Sequence, residues 1–293
     1  MLVDGRGLLS YSGSNSTGKG ERRMEDHQIP ASPAPARDAQ MQNTIVSALQ
    51  DRQFFICLQP KFRLPDRHIV GAEALLRWND PEEGILFPAE FLPAAQRIGY
   101  LEALDLYALE EACHCIQHWR AKHMPVVPIS VNISVASLHA PGFCDAAVDC
   151  LSRHGIPRSD IEFELSYQFA QQHAAKLSDM IECLHRYGFS CCIDGFTFTQ
   201  DGNLLEHLSA FEIDSVKLNC RSYPDKPMQV YISACAQAVS RAKELGMQLF
   251  CEGVERPQQI EALASAGCTL MQGYALSMPV STGLFAKMLS KFS

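Results

Sequence analysis

The sequence predicts an α/β fold: a (β/α)8 barrel whose first strand runs antiparallel, preceded by a disordered N-terminal tail. Three observations predict it. After the first two strands, short apolar runs alternate with longer helical patterns without interruption, which demands a largely parallel sheet. Eight strands can be counted in a chain of 293 residues, and a closed barrel commonly takes about 250. The link Arg63–His68 between the first two strands is short and reads as a hairpin, so the first strand opposes the second. An open doubly wound sheet is the alternative architecture. No GxGxxG follows a first strand, which counts against a nucleotide-binding version of it.

Taken in order, residues 1–37 are rich in Gly, Ser, Pro and Ala and read as a tail, with residues 38–293 as one barrel domain. Within the tail, Gly13 to Gly20 nearly matches a phosphate-binding loop, but Gly20 stands where Ser or Thr belongs and no strand precedes it. Met24 and Met41 are alternative starts. Asp38 can cap a helix over 39–51 with Ile45, Val46 and Leu49 on its apolar face. Strand one is Phe54–Phe62 and strand two Ile69–Trp78, the latter bounded by turn-type sequence at Pro65–Asp66 and Asn79–Pro81. Helices follow at Pro88–Ile98 and Leu104–Lys122, then strand three over Val126–Ser134 and a helix near 142–153. Strand four is Ile161–Ser166, followed by helix 171–187 and strand five, Ser190–Phe196. Strand six is Ser215–Asn219, followed by helix 227–245 and strand seven, Met247–Val254. Helix 257–266 leads to strand eight, Leu270–Leu276, and a last helix.

Composition narrows the function classes. Hydrophobic residues make up 47%, enough for a large core, and the net charge of −8 argues against direct nucleic-acid binding. The 12 cysteines are scattered through apolar runs and form no CxxC pair, which fits buried reduced thiols in a cytoplasmic protein rather than zinc ligands. No apolar run is long enough to span a bilayer.

The chemistry starts at Glu73, a carboxylate in the middle of the apolar strand Ile69–Trp78. Buried there, it requires a cation, either a metal or a fixed base; a structural ion pair is the plain alternative. Site residues of a barrel come from the C-terminal ends of its strands. Polar residues recur at these ends: Glu73 and Arg77, Asn132, Glu164, Asp194, Lys217, Glu252 and Glu255, and Gln272.

Glu73-Ala74-Leu75 followed by Leu76-Arg77-Trp78, with Gln59-Pro60 upstream and CEGVER and QGY downstream, resembles the EAL domain family over roughly residues 50–280. That family hydrolyses, or only binds, the bacterial second messenger cyclic di-GMP, on a modified TIM barrel with one reversed strand. The resemblance implies Glu73, Asn132, Glu164 and Asp194 as metal ligands. It implies Lys217 and Glu252 as catalytic lysine and water-activating glutamate, Glu255 as a further active-site residue, and Gln59, Arg77 and Gln272 as contacts around the dinucleotide. Such an oxygen set suits Mg or Mn over zinc, and with a lysine beside it is equipped for phosphodiester hydrolysis.

Departures from the family pattern point away from full activity. Where the family has a second aspartate at the end of strand five, which helps bind a second metal, this chain has Gly195. The glycine-rich loop that follows has become TFTQDGN, and Tyr167 replaces a glutamate that anchors it. An aspartate two residues after the lysine is Asn219. One metal site is expected intact and the second impaired. The expectation is a stand-alone, degenerate member controlling gene expression such as virulence, motility or biofilm genes. It would act through a protein partner or by sensing cyclic di-GMP, and a homodimer is compatible with this. The alternatives are an active Mg-dependent phosphodiesterase releasing pGpG and a nucleotide-independent protein-binding scaffold.

Overall fold

The computed structural model describes residues 44–168, 174–197, 212–221 and 228–292. The expected tail over 1–37, the start of the helix at 39–51 and most of the altered loop after Thr197 lie outside them.

Helical backbone at 44–50 (α1) precedes strands β1 (Phe54–Arg63) and β2 (His68–Asp80), and the short strand β3 (Gly84–Leu86) folds back on β2. Helices α2 (Pro88–Arg97) and α3 (Leu101–Ala121) lead to β4 (Ile129–Asn132), α4 (Val135–His139) and α5 (Phe143–His154). Then come β5 (Ile161–Ser166), α6 (Ala174–Arg186), β6 (Ser190–Phe196), β7 (Ser215–Asn219) and α7 (Met228–Glu244). The chain ends with β8 (Gln248–Glu252), α8 (Pro257–Ser265), β9 (Leu270–Met271), β10 (Val280–Ser281) and α9 (Thr282–Phe292).

The sheet closes. The ring runs β1-β2-β4-β5-β6-β7-β8-β9 and returns to β1, which pairs with both β2 and β9. Both of those pairings are antiparallel, while β2 through β9 pair in parallel. This is the eight-stranded barrel with a reversed first strand; β3 and β10 are antiparallel additions to β2 and β1. Among the described residues no helix is long and apolar enough to cross a membrane.

Side chains alternate across a strand, so each strand sends one set inward and the other toward the helices. The helix-facing set is apolar and buried: Ile129 and Val131, Ile161, Phe163 and Leu165, Cys191 and Ile193, Val216 and Leu218, Leu249 and Cys251. A smaller cluster of Ile45, Phe54, Trp78, Phe91, Ala95 and Leu104 packs α1 and α2 beside the start of β1. Trp78 Nε1 donates to Gln53 Oε1 there at 3.0 Å.

Three strands are shorter than expected, among them β8, which spans Gln248–Glu252 where Met247–Val254 was expected. Pro128 has no N–H to give a ladder, so 126–128 stay outside the sheet and the Pro128 carbonyl accepts from Ala72 N at 3.0 Å. Ser134 leaves the strand as well, because its side chain accepts from Ser137 N and caps α4, a helix not foreseen. Strand eight stops at Met271. Ala275 N bonds back to Val254 O, and Ser277 N to Gly273 O, turning the chain across the barrel mouth.

Candidate functional site

Period-two alternation places Gln59 and Lys61, Glu73, Ser130 and Asn132, Glu162 and Glu164, Ser215 and Lys217 inside the barrel. The register stacks them laterally: Gln59 opposite Glu73, Glu73 beside Ser130, Asn132 beside Glu164, Ser166 beside Asp194, Asn219 beside Glu252. The barrel axis is therefore a column of charge instead of the branched apolar layers usual in such folds.

Lys217 stands at the centre, wholly buried. Its ammonium donates to Glu73 Oε2 at 2.7 Å and to Glu164 Oε2, and lies 3.6 Å from Asp194 Oδ1. Asn132 Nδ2 donates to Glu73 Oε1 at 2.9 Å, and Gln272 Nε2 to Glu73 Oε2 at 2.8 Å and to Gln59 Oε1 at 3.1 Å. Gln59 in turn donates to the Ser277 carbonyl at 3.2 Å, tying the mouth segment to β1. Seven of the expected site residues, from six strands and the residue after β9, thus meet in one network.

Below them lies a belt that sequence reasoning missed. Lys61 Nζ donates to Glu162 Oε2 and Glu164 Oε1, each at 3.0 Å, and to Ser130 Oγ. Ser130 and Ser215 donate to the two oxygens of Glu162, and the Phe250 ring faces the Lys61 ammonium at 4.9 Å. The signal was available: Lys61 and Glu162 sit two residues from Gln59 and Glu164, on the same inward face.

Electrostatics follow from this packing. Burial would raise the Glu73 carboxyl, but Lys217 and its hydrogen bond outweigh that and hold it at about 2. Glu164 is raised to about 6 because burial prevails over both lysines, with Glu73 and Asp194 adding repulsion. Burial and then the Asp194 charge push Glu252 up to about 9. Lys217, though burial opposes its charge, is raised well above the ordinary lysine range by Glu164, Glu73 and Asp194. Among the described residues, no hydrogen-bond partner meets the buried Asp194 Oδ1 or Gln272 Oε1.

Above this network opens a cleft of about 300 Å³, lined among others by Gln59, Glu73, Arg77, Glu252 and Gln272. Two arginine–aromatic pairs stand on its rim: Arg77 over Phe87 at 4.8 Å and Arg221 over Tyr274 at 5.8 Å. Arg77 also donates to the Leu76 carbonyl at 2.8 Å. Glu255 is not brought into the central network; it pairs with Arg221 at 2.9 Å on the exposed rim. Gly195 occupies the left-handed region at φ +79, next to a register irregularity between β6 and β7. Tyr167 is buried and meets Phe196 edge-on at 5.6 Å, an apolar clasp between the ends of β5 and β6.

Comparison with known proteins identifies the architecture. The EAL domain family model matches residues 42–279. An uncharacterized protein of Mycobacterium tuberculosis is 30% identical over 241 residues, covering 80% of this chain and 78% of that protein. The bifunctional diguanylate cyclase/cyclic di-GMP phosphodiesterase MucR of Pseudomonas aeruginosa is 30% identical over 244 residues, covering 82% of this chain but 35% of that protein. The solved structure of the MucR phosphodiesterase in complex with c-di-GMP superposes with a TM-score of 0.74 at 27% identity, covering 84% of this chain and 99% of that one. The FimX EAL domain of Pseudomonas aeruginosa bound to c-di-GMP shares the fold, with a TM-score of 0.72 at 23% identity, over 82% of this chain and 96% of that one.

Proposed function

This chain belongs to the EAL domain family, and on that premise we propose that it is a degenerate regulatory member. In this reading it binds cyclic di-GMP in the barrel mouth, hydrolyses it weakly or not at all, and controls gene expression through a protein partner. The observation that carries the reading is Gly195: the residue after Asp194 has no side chain, so this position offers no carboxylate to a second cation. A two-metal displacement lacking one bridging carboxylate loses several kcal/mol of transition-state stabilisation.

One divalent ion, Mg or Mn, fits the residues present. Among the described residues the buried Asp194 Oδ1 makes no hydrogen bond and has the Lys217 ammonium 3.6 Å away, and Asp194 and Glu252 crowd each other enough to push Glu252 up to about 9. Positive charge is therefore in deficit at that end of the network. Glu73, Asn132, Glu164 and Asp194 would hold the ion, all through oxygen. Bound there, it supplies Lewis-acid polarisation of a phosphate oxygen. Lys217 orients Glu73 and Glu164 and offers positive charge to the phosphate. Gln272 and Asn132 hold Glu73 from two sides. Arg77, stacked on Phe87, presents a guanidinium that can pair with a phosphate, and the Tyr274 ring offers a face to a base.

The test uses the full chain with magnesium or manganese and cyclic di-GMP, with products separated by chromatography and binding measured by calorimetry. The expected result is dissociation in the micromolar range, about −8 kcal/mol, with turnover far below one per second. Turnover of about one per second or faster, with pGpG released, would establish the active phosphodiesterase instead. Absence of any binding signal would leave a scaffold in which Lys217 and Glu73 are only a structural pair.

A further inference from the structure

Away from the barrel mouth, we propose that Glu110, His114 and His154 form a binding site for a divalent transition-metal ion of the zinc class. Glu110 and His114 lie one turn apart on α3, so their side chains share a face. His154 is the last residue of α5, which packs along α3. One ligand atom from each of the three lies within 4.8 Å of the others. His154 Nε2 is 3.7 Å from Glu110 Oε1, and the two imidazole rings stand 4.6 Å apart at 87°.

Two further observations separate this cluster from an ordinary surface ion pair. His154 Nε2 is buried and makes no hydrogen bond among the described residues, a cost without return unless something else occupies its lone pair. Glu111 Oε1 meets His114 Nδ1 at 3.2 Å, the arrangement in which a carboxylate fixes the tautomer and leaves Nε2 for a metal. Ligand atoms around a tetrahedral zinc lie about 3.3 Å apart, so the ligands must draw together by up to about 1.5 Å on binding. Arg153, 3.4 Å from Glu110, is the competing cation; its side chain is 64% exposed and free to swing into water. Glu110 and His114 are each about a third exposed, which opens the fourth position to solvent.

The donor set of two imidazoles and one carboxylate selects zinc, cobalt, nickel or copper, whereas the all-oxygen barrel site selects magnesium or manganese. The ion would clamp α3 to α5. Nearer its start, α3 carries Asp105, which accepts from Ser134 N at 2.7 Å and Ser137 Oγ at 2.6 Å just beyond Asn132. The clamp therefore grips the helix that buttresses one wall of the barrel mouth.

The experiment is titration of the chelator-stripped full chain with Co²⁺, read by visible absorption, and with Zn²⁺ against a competing indicator. With excess Mg²⁺ present to fill the barrel site, the expected result is one equivalent of Co²⁺ with d–d bands and without the charge-transfer absorption of thiolate ligands. His114→Ala and His154→Ala should each abolish that equivalent, and Glu73→Gln in the barrel should retain it. Glu111→Gln should weaken it by about 10–100-fold. Glu110→Gln, on an exposed face, serves if a histidine variant loses its parent-like circular dichroism. No uptake by the unmodified chain, thiolate charge transfer, or an equivalent that survives the histidine and Glu110 substitutions would overturn the proposal.

Discussion

Lys217→Met removes the cation at the centre of the barrel and keeps its volume. In the parent, Lys217 is fully buried and bonded to Glu73 and Glu164. The Glu73 carboxyl falls from 4.5 to about 2, and a depression of that size corresponds to about 3 kcal/mol. Breaking one side of a buried ion pair costs about 3–5 kcal/mol by general experience, so the two figures agree. Glu164, raised to about 6 with both lysines present, would rise further with Lys61 as its remaining cation. The expected loss is about 3–5 kcal/mol at neutral pH, or a drop of roughly 10 °C in thermal midpoint. Because the folded Glu73 pKa lies below its unfolded value, its contribution is present above about 4.5 and is lost as pH falls through about 2. The deficit of Lys217→Met relative to the parent should therefore shrink toward acid. Urea unfolding of both chains from pH 7 down to pH 3, with chelator present, measures it. A loss below about 1 kcal/mol at pH 7, or a gap that widens in acid, would refute the reasoning.

Lys61→Met should destabilise by a similar amount, and adding Glu162→Gln should recover part of it, since the second change removes a charge the first left unpaired; additive losses in the double variant would contradict that coupling. A Cβ built on Gly273 lies 2.2 Å from the Val254 carbonyl oxygen, so Gly273→Ala should cost about 3 kcal/mol in urea unfolding, and a neutral substitution would mean the mouth segment moves freely. A Cβ built on Gly195 meets no heavy atom of the described residues within 4 Å, though the φ of +79 costs a side chain about 1 kcal/mol; for Gly195→Asp, turnover of cyclic di-GMP with manganese should rise, and an unchanged rate in a folded variant would show that the missing carboxylate is not what limits activity. Arg77→Ala should weaken cyclic di-GMP binding by about tenfold or more in calorimetry, whereas unchanged affinity would place the ligand elsewhere.

Much of this was legible in the chain itself. Strands β5, β6 and β7 fall where the alternation of apolar runs put them, because their helix-facing sets Ile161-Phe163-Leu165, Cys191-Ile193 and Val216-Leu218 are unbroken. The polar residues at the strand ends were recognisable for the complementary reason: a carboxylate such as Glu73 inside an apolar run has no local partner, so its partner must come from afar. Which partner it takes was decided only in three dimensions. Lys217 reaches Glu73 across 144 positions of sequence, and nothing local distinguishes that contact from a metal or a base. The Lys61–Glu162 belt was hidden for a related reason: a lysine in a strand reads as solvent-facing until the sheet closes and makes its face an interior. Strand ends were the least readable, since Pro128, Ser134 and Gly273 end strands through bonds to Ala72, Ser137 and Ser277 that exist only once the strands are assembled. The sequence by itself determined the barrel, its reversed first strand and the chemical types at its mouth, because periodicity and residue type are local properties. Charge pairing, the depth of the polar column and the helix-borne cluster of Glu110, His114 and His154 depend on closure and packing, and only the tertiary structure decides them.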